Sequence, residues 1–235
     1  MRVAVISGSL ATGIRIASEV ERLPGVEVLI VDCNVRMWSP LLRWLREVAL
    51  ALKSPHWREY AGKLWGYARS GKLVILDHNL NDTESCERLK ALGCDIGLHA
   101  ANVIYRQPTI DAFRLGILNA HIGILPQYRG RSVAEWSILY GDPTGVTVFF
   151  IDSGIDTGSR IILREFLPPR DCRSVRSLKR MLFGFDGILY RKALEALTSS
   201  GFRYSHNEVS RGKRYYVMSK ILTQSVESIL KAGVG

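Results

Sequence analysis

Four short apolar runs, at residues 2–7 (RVAVIS), 26–32 (VEVLIVD), 73–77 (LVILD) and 94–100 (CDIGLHA), are separated by stretches with helical periodicity. Each run is too short for a buried helix and too continuous for a half-exposed strand, so each reads as a strand buried on both faces. Parallel neighbours need a crossover of a dozen or more residues, and the intervening segments are of that kind. The pattern therefore predicts an α/β chain with a doubly wound, mostly parallel sheet. The first crossover is a helix from about Ile14 to Leu23, stopped by Pro24-Gly25. The loop before it, SGSLATG, has the glycine spacing of a phosphate-binding loop at Gly8 and Gly13. Ile14-Arg15 stand where that loop needs Lys-Ser/Thr. Two readings stay open: backbone N–H groups near Gly8 and Ser9 that approach an anionic substrate, or a tight strand-to-helix turn.

Residues 39–71 interrupt the rhythm. Ser39-Pro40 and Ser54-Pro55 are two helix starts, so the stretch reads as a helical hairpin inserted between strands. It holds or adjoins Trp38, Trp44, Trp57 and Trp65, which either fix the hairpin to the sheet or form a homodimer, partner or acceptor-pocket surface. Asp82 or Thr83 starts a helix closed by Gly93, and a short helix falls at about 109–114. Further on, one long helix is expected over 173–197, with Arg170, Arg173, Arg176, Lys179 and Arg180 crowded at its start. Basic residues there oppose the helix dipole, so they either meet an anion or form a solvated face. Residues 201–218 read as a hairpin turning near Arg211-Gly212, and Ser219 caps a last helix. The expected organisation is a core over 1–169 carrying the 39–71 insertion, with a short α+β extension, 170–235, packed on it.

Composition narrows the partners. Net charge is +10, which suits an anionic ligand (nucleotide, phosphate or nucleic acid) or serves solubility. No apolar run is long enough to span a membrane. MRVAVISGS reads as a first strand and not as an export signal. Cys33, Cys86, Cys94 and Cys172 form no C-x-x-C pair, so reduced thiols, a cytoplasmic location and no metal are expected.

The stretch 118–162 carries the chemistry. Leu118-Asn119-Ala120-His121 is strand-like, and period 2 puts Asn119 and His121 on one face, at the strand end where α/β sheets bind ligands. LPQYRG is an exposed turn, and Ser132-x-x-Glu135 is a capping-box pattern for a helix over 133–140 that Gly141 stops. GVTVFFI is a second strand, followed by the loop Asp152-Ser-Gly-Ile-Asp156-Thr-Gly158 and a returning strand over 160–166. An Asn amide donates without ionising and suits an oxyanion. His121 can donate to the same oxyanion or move a proton, and Asp156 can orient it and relay a proton. With no Ser or Cys elbow and poor metal spacing, the set fits attack by a substrate amine on an activated carbonyl through a tetrahedral intermediate. A core histidine and a turn aspartate remain the plain alternative.

NAHIGILPQYRG followed by GVTVFFIDSGIDTGSRII resembles the signature of the 10-formyltetrahydrofolate-dependent formyltransferases, a Rossmann-like family, over roughly residues 95–168. The resemblance implies Asn119, His121 and Asp156 as catalytic residues and 10-formyltetrahydrofolate as co-substrate, without metal. It implies a folate site at Asn102, Val103, Ile104 and Tyr105, largely through backbone groups, with Asp152, Gly154 and Ile155. For the amine substrate, Gly8, Ser9, Tyr128, Arg129, Gly130 and Arg131 are the candidates. Two departures stand out: Gly123 where the family usually has Ser, and Phe149 where it often has His. Among family branches the chain resembles most the amino-sugar nucleotide N-formyltransferases. Residues 170–235 are expected to fall short of the extra domain of methionyl-tRNA formyltransferases, and SGSLATG lacks the Asn and Ser of the glycinamide ribonucleotide enzymes. Both acceptors stay open, as does a non-catalytic folate- or nucleotide-binding protein.

Overall fold

The computed structural model describes residues 1–33, 57–76 and 79–233. They form two compact units, Met1–Leu118 and Asn119–Gly235. The division falls inside a strand.

The first unit holds β1 (Arg2–Ser7), α1 (Leu10–Val20), β2 (Glu27–Asp32), α2 (Trp57–Arg69), β3 (Leu73–Ile75), α3 (Thr83–Ala91), β4 (Ile96–Ala100), α4 (Gln107–Ile110) and the start of β5 (Gly116–His121). Its strands run in the order β3-β2-β1-β4, with β1–β2, β2–β3 and β1–β4 all parallel. The order moves outward from β1 to β3 and then reverses to β4, which is the doubly wound pattern. The chain is thus α/β with a mostly parallel sheet, as the apolar runs predict. Val3, Val5, Ile6, Val28 and Ile30 are fully buried, each contributing about 1.5–3 kcal/mol.

Helix α1 begins at Leu10, four residues before the sequence expectation. The Ser7 hydroxyl closes the turn within two residues: it donates to the Ser9 carbonyl (2.7 Å) and accepts from the Ser9 N–H (3.2 Å). Gly13 is a packing residue, since a Cβ there would lie 3.0 Å from Ile30 Cγ2. The second hairpin helix is α2, ended by Gly71 at φ +68°. The first hairpin helix, with Trp38 and Trp44, lies outside the described residues. Trp65 is 68% exposed, so it does not fix the hairpin to the sheet. Asp82 caps α3 as expected, accepting from the Ser85 N–H at 2.7 Å.

The second unit holds the end of β5, then β6 (Tyr128–Gly130), α5 (Val133–Tyr140), β7 (Gly145–Phe150), β8 (Arg160–Phe166), α6 (Val175–Gly184), α7 (Asp186–Thr198), β9 (Ser205–His206), β10 (Lys213–Tyr215) and α8 (Lys220–Ala232). Its sheet order is β5-β7-β8-β9, with β7–β8 and β8–β9 antiparallel. Three sequence expectations fail here. The long helix is two, α6 and α7, divided after Gly184. The Asp186 carboxylate accepts from the adjacent Gly187 N–H at 2.6 Å, local bonding that competes with a continuous helix.

Residues 201–218 form no hairpin. β9 pairs antiparallel with β8, while β10 pairs parallel with β6, because two different strand edges offer partners. Ser132 makes no capping box: it sits in the left-handed region at φ 54°, and its hydroxyl accepts from the Met218 N–H at 3.3 Å. Its would-be partner Glu135 instead meets Lys179 Nζ at 2.5 Å. The true capping box is Ser174 with Ser177, at the start of α6.

Candidate active site

β5 ends by presenting Asn119 and His121 on one face, as period 2 requires. Between them, the Ala120 N–H donates to the Tyr190 hydroxyl at 2.9 Å, and Tyr190 is fully buried on α7. This bond fixes the strand end that carries both side chains. Asp156 comes from the loop between β7 and β8. His121 Nδ1 and Asn119 Nδ2 both lie 3.5 Å from Asp156 Oδ1. Asp156 Oδ2 accepts from the Gly130 N–H at 2.9 Å. His121 Nε2 lies 2.8 Å from the Tyr128 carbonyl. A carbonyl only accepts, so Nε2 carries the hydrogen of that bond, and Nδ1 is the nitrogen turned toward Asp156. The sequence picks out Asn119, His121 and Asp156; the fold brings them to one carboxylate oxygen.

The Asp152–Gly158 loop is tightly folded. Asp152 Oδ1 accepts from the Gly154 N–H (3.0 Å) and the Thr157 hydroxyl (2.7 Å). A Cβ at Gly158 would sit 1.8 Å from the Phe150 carbonyl, so only glycine fits there. Asp156 is at φ 53°, a left-handed conformation that Asp tolerates better than most residues. Asp152 and Gly154 therefore shape this loop from within, and Ile155 is half-buried on it.

The turn over His121 is held by two residues that sequence reasoning did not single out. The buried Thr147 hydroxyl donates to Gly123 O (2.8 Å) and accepts from Leu125 N–H (3.1 Å). Arg164 Nε donates to Leu125 O at 2.7 Å. Gly123 fits because a Cβ there would lie 2.8 Å from His121 Nε2 and 2.9 Å from Tyr128 O, the two ends of one hydrogen bond. Phe149 packs with Leu125 and Ile161 in the core, which explains an apolar residue at that position.

The substrate candidates on the turn differ in accessibility. Tyr128 is buried, stacks on Tyr215 at 5.2 Å and donates its hydroxyl to Asp142. Burial and that bond push its phenol well above the usual range. Its side chain is thus engaged internally. Arg129 is half-buried and donates to the Val209 carbonyl, Gly130 serves Asp156, and Arg131 is exposed.

In the first unit, the loops after β1 and β4 meet at the sheet's switch point: the Gly8 N–H donates to Ala100 O at 3.3 Å. Gly8 and Ser9 therefore use their N–H groups inside the turn, which favours the tight-turn reading of SGSLATG. Asn81 braces the second loop, donating to Ile104 O (2.9 Å) and accepting from Arg106 N–H (2.7 Å). Tyr105 is buried against His99 at 2.9 Å, while Asn102 and Ile104 are exposed and Val103 is half-buried. At the start of α6 the Val175 N–H donates to Glu227 Oε1, so the chain's own carboxylate meets this N-terminus. Arg170, Arg173, Arg176 and Arg180 are exposed, and Lys179 pairs with Glu135. Among the described residues, no cluster of His, Cys, Asp and Glu could hold a metal ion, and no helix is long and apolar enough to cross a membrane.

Solved structures share the fold. Glycinamide ribonucleotide transformylase 1 from Symbiobacterium toebii superposes with TM-score 0.61 at 20% identity, covering 88% of this chain and 94% of its own. A 4-N formyltransferase from Francisella tularensis gives TM-score 0.63 at 13% identity, covering 99% and 87%. The class is therefore that of the formyltransferase fold. The family model described as Formyl transferase matches residues 70–180. Methionyl-tRNA formyltransferase from Elusimicrobium minutum is 35% identical over 131 residues, 54% of this chain and 38% of that protein. The corresponding protein from Parabacteroides distasonis is 35% identical over 133 residues, 56% of this chain and 41% of its own. Residues 70–180 are thus similar to the formyltransferases, and the chain spans well under two thirds of these two relatives' length.

Proposed function

We propose that this protein transfers a formyl group from 10-formyltetrahydrofolate to a primary amine of a small anionic substrate. The observation that carries the reading is the convergence of Asn119 and His121 on Asp156 Oδ1. The donor set fits the co-substrate: the Asn119 amide, and His121 Nδ1 when the ring carries its second proton, can donate to a formyl oxygen that gains negative charge, and the Asp156 carboxylate can take a proton. Both contacts to Asp156 are long, so a better acceptor can claim the donors. 10-Formyltetrahydrofolate supplies the formyl carbon. As the neutral amine nitrogen bonds to that carbon, Asn119 and His121 stabilise the oxyanion. Asp156 accepts the proton lost by the amine and delivers it, directly or through water, to the nitrogen that leaves as the carbon–nitrogen bond of the donor breaks. Asn102–Tyr105 is the proposed contact for the folate ring, with Ile104 offering an exposed apolar face. The turn at Arg129–Arg131 is proposed for the anionic acceptor.

For the acceptor we favour an amino-sugar nucleotide, in keeping with the branch that the Tyr128-Arg129-Gly130 turn and IDSGIDTG loop resemble. Solved structures of this fold include sugar N-formyltransferases. A second reading, methionyl-tRNA, is favoured by the named relatives and by the +10 charge. The four cysteines are buried thiols outside any disulfide, in keeping with a cytoplasmic location. The test is a screen of the purified protein with 10-formyltetrahydrofolate against sugar-nucleotide amines, glycinamide ribonucleotide and charged initiator tRNA, following tetrahydrofolate release. Amine-dependent release is expected with a sugar nucleotide. Binding of the folate with no turnover on any amine would make the protein a non-catalytic binder.

A further inference from the structure

The segment that supplies β9 and β10 lies beyond residue 180, outside the family match. It nevertheless touches both halves of the catalytic set. β9 pairs Ser205 with Ile161 and His206 with Arg160, at the first residues of β8. The next residue, Asn207, is thereby delivered to the loop that carries Asp156, and its N–H donates to Ser159 O at 3.0 Å. Its side chain is 2% exposed and donates through Nδ2 to two carbonyls, Asp156 O at 3.2 Å and Gly158 O at 3.1 Å. Two acceptors require the amide nitrogen at this position, so the amide orientation is fixed by chemistry. The backbone it grips is the left-handed turn at Asp156, a conformation that surrounding bonds must hold.

Six residues after Asn207, β10 begins and runs parallel to β6, with Lys213 N–H donating to Gln127 O (3.2 Å) and Arg131 N–H to Tyr215 O (3.1 Å). β6 carries the Tyr128 carbonyl that receives His121 Nε2 and the Gly130 N–H that holds Asp156 Oδ2. One short segment thus fixes the backbone behind Asp156 and the backbone that its carboxylate and His121 lean on.

We propose that Asn207 is a positioning residue for Asp156, holding its left-handed turn so that Oδ1 faces His121 and Asn119 while Oδ2 takes the Gly130 N–H. This rests on the catalytic reading above for its functional consequence, though not for its geometry. Two variants test it. Asn207→Ala removes both bonds, and Asn207→Asp keeps the volume while replacing the donor by an acceptor, so it decides the matter if the alanine variant does not fold. One readout needs no turnover: hydrogen exchange at the Gly130 amide, whose acceptor is Asp156 Oδ2. Exchange there should quicken at least about tenfold in either variant, while Val146 and Val148 on β7 stay protected. With an active acceptor, kcat should fall about 10–100-fold, with both KM values within about threefold, as for a misplaced catalytic group. Unchanged exchange at Gly130 overturns the proposal, and so does unchanged kcat. A protein inactive with every acceptor, but with faster Gly130 exchange in the variants, would keep the positioning role and refute the activity.

Discussion

Substituting Gly123 by Ser introduces the residue usual in the formyltransferases that the chain resembles, yet the structure predicts damage. A Cβ on this backbone would lie 2.8 Å from His121 Nε2, 2.9 Å from Tyr128 O and 3.0 Å from Val133 Cγ2. Two of these are the donor and acceptor of one 2.8 Å hydrogen bond, so the new carbon wedges them apart. Overpacking of this kind costs about 1–3 kcal/mol, and the lost hydrogen bond adds about 1 kcal/mol. Gly123 is not at positive φ, so a side chain also restricts the unfolded chain and returns about 0.4–1 kcal/mol. The net cost is about 1–3.5 kcal/mol. At about 2–4 °C per kcal/mol for a chain of this size, melting should fall by roughly 2–14 °C. Thermal and urea unfolding of Gly123→Ala and Gly123→Ser measure it, with formyl transfer assayed alongside. Because the two variants share the Cβ, both should lose stability. Unchanged melting in both would refute the steric reasoning. So would loss in Ala but not Ser, since the hydroxyl and not the carbon would then control the outcome.

Asp156→Asn and His121→Ala should retain the fold by circular dichroism and lower turnover about 10²–10⁴-fold; near-normal turnover by Asp156→Asn with the true amine would refute the mechanism. The attacking amine must be neutral, so kcat/KM should fall on the acid side, and a flat profile down to about pH 5 would contradict direct attack. Asp95 is held below the usual carboxylate range by the Arg2 backbone N–H and then by Arg114. Its contribution is therefore full above the unfolded carboxylate pKa of about 3.9 and lost as pH falls through the lower folded value; Asp95→Asn should flatten the acid-side drop in melting temperature. Burial pushes the Cys94 thiol up to about 11, so carboxamidomethylation of Cys94, mapped by mass spectrometry at pH 8, should be far slower in the native than in the urea-unfolded protein.

Legibility of the candidate site came from short-range order. Asn119 and His121 are two apart on a strand, so any strand there puts them on one face, whatever the rest of the chain does. The glycine-rich loop after β7 was readable because its glycines meet needs within a few residues: Gly154 against Thr157 and Gly158 against Phe150. The four apolar runs likewise predicted parallel strands, since burial on both faces demands continuous apolar sequence.

What failed was set by distance along the chain. Ser132 and Glu135 match a capping box, but Met218 and Lys179, far away in sequence, claim them first. Gly123 and Phe149 were visible only as departures; their reasons lie in the Tyr128 carbonyl and in the Leu125–Ile161 core. Residues 201–218 have hairpin composition, yet the free edges of β8 and β6 drew the two arms apart. Thr147, Tyr190 and Asn207 carry no motif at all. The sequence by itself determined the α/β class, the face shared by Asn119 and His121, and the tight loop that holds Asp156, because each depends on local periodicity or local sterics. Only the tertiary structure decided where Asp156 points, which nitrogen of His121 is turned to it, and that Asn207 holds the turn behind it. Those depend on hydrogen bonds between residues 7 to 70 positions apart, which no local pattern encodes.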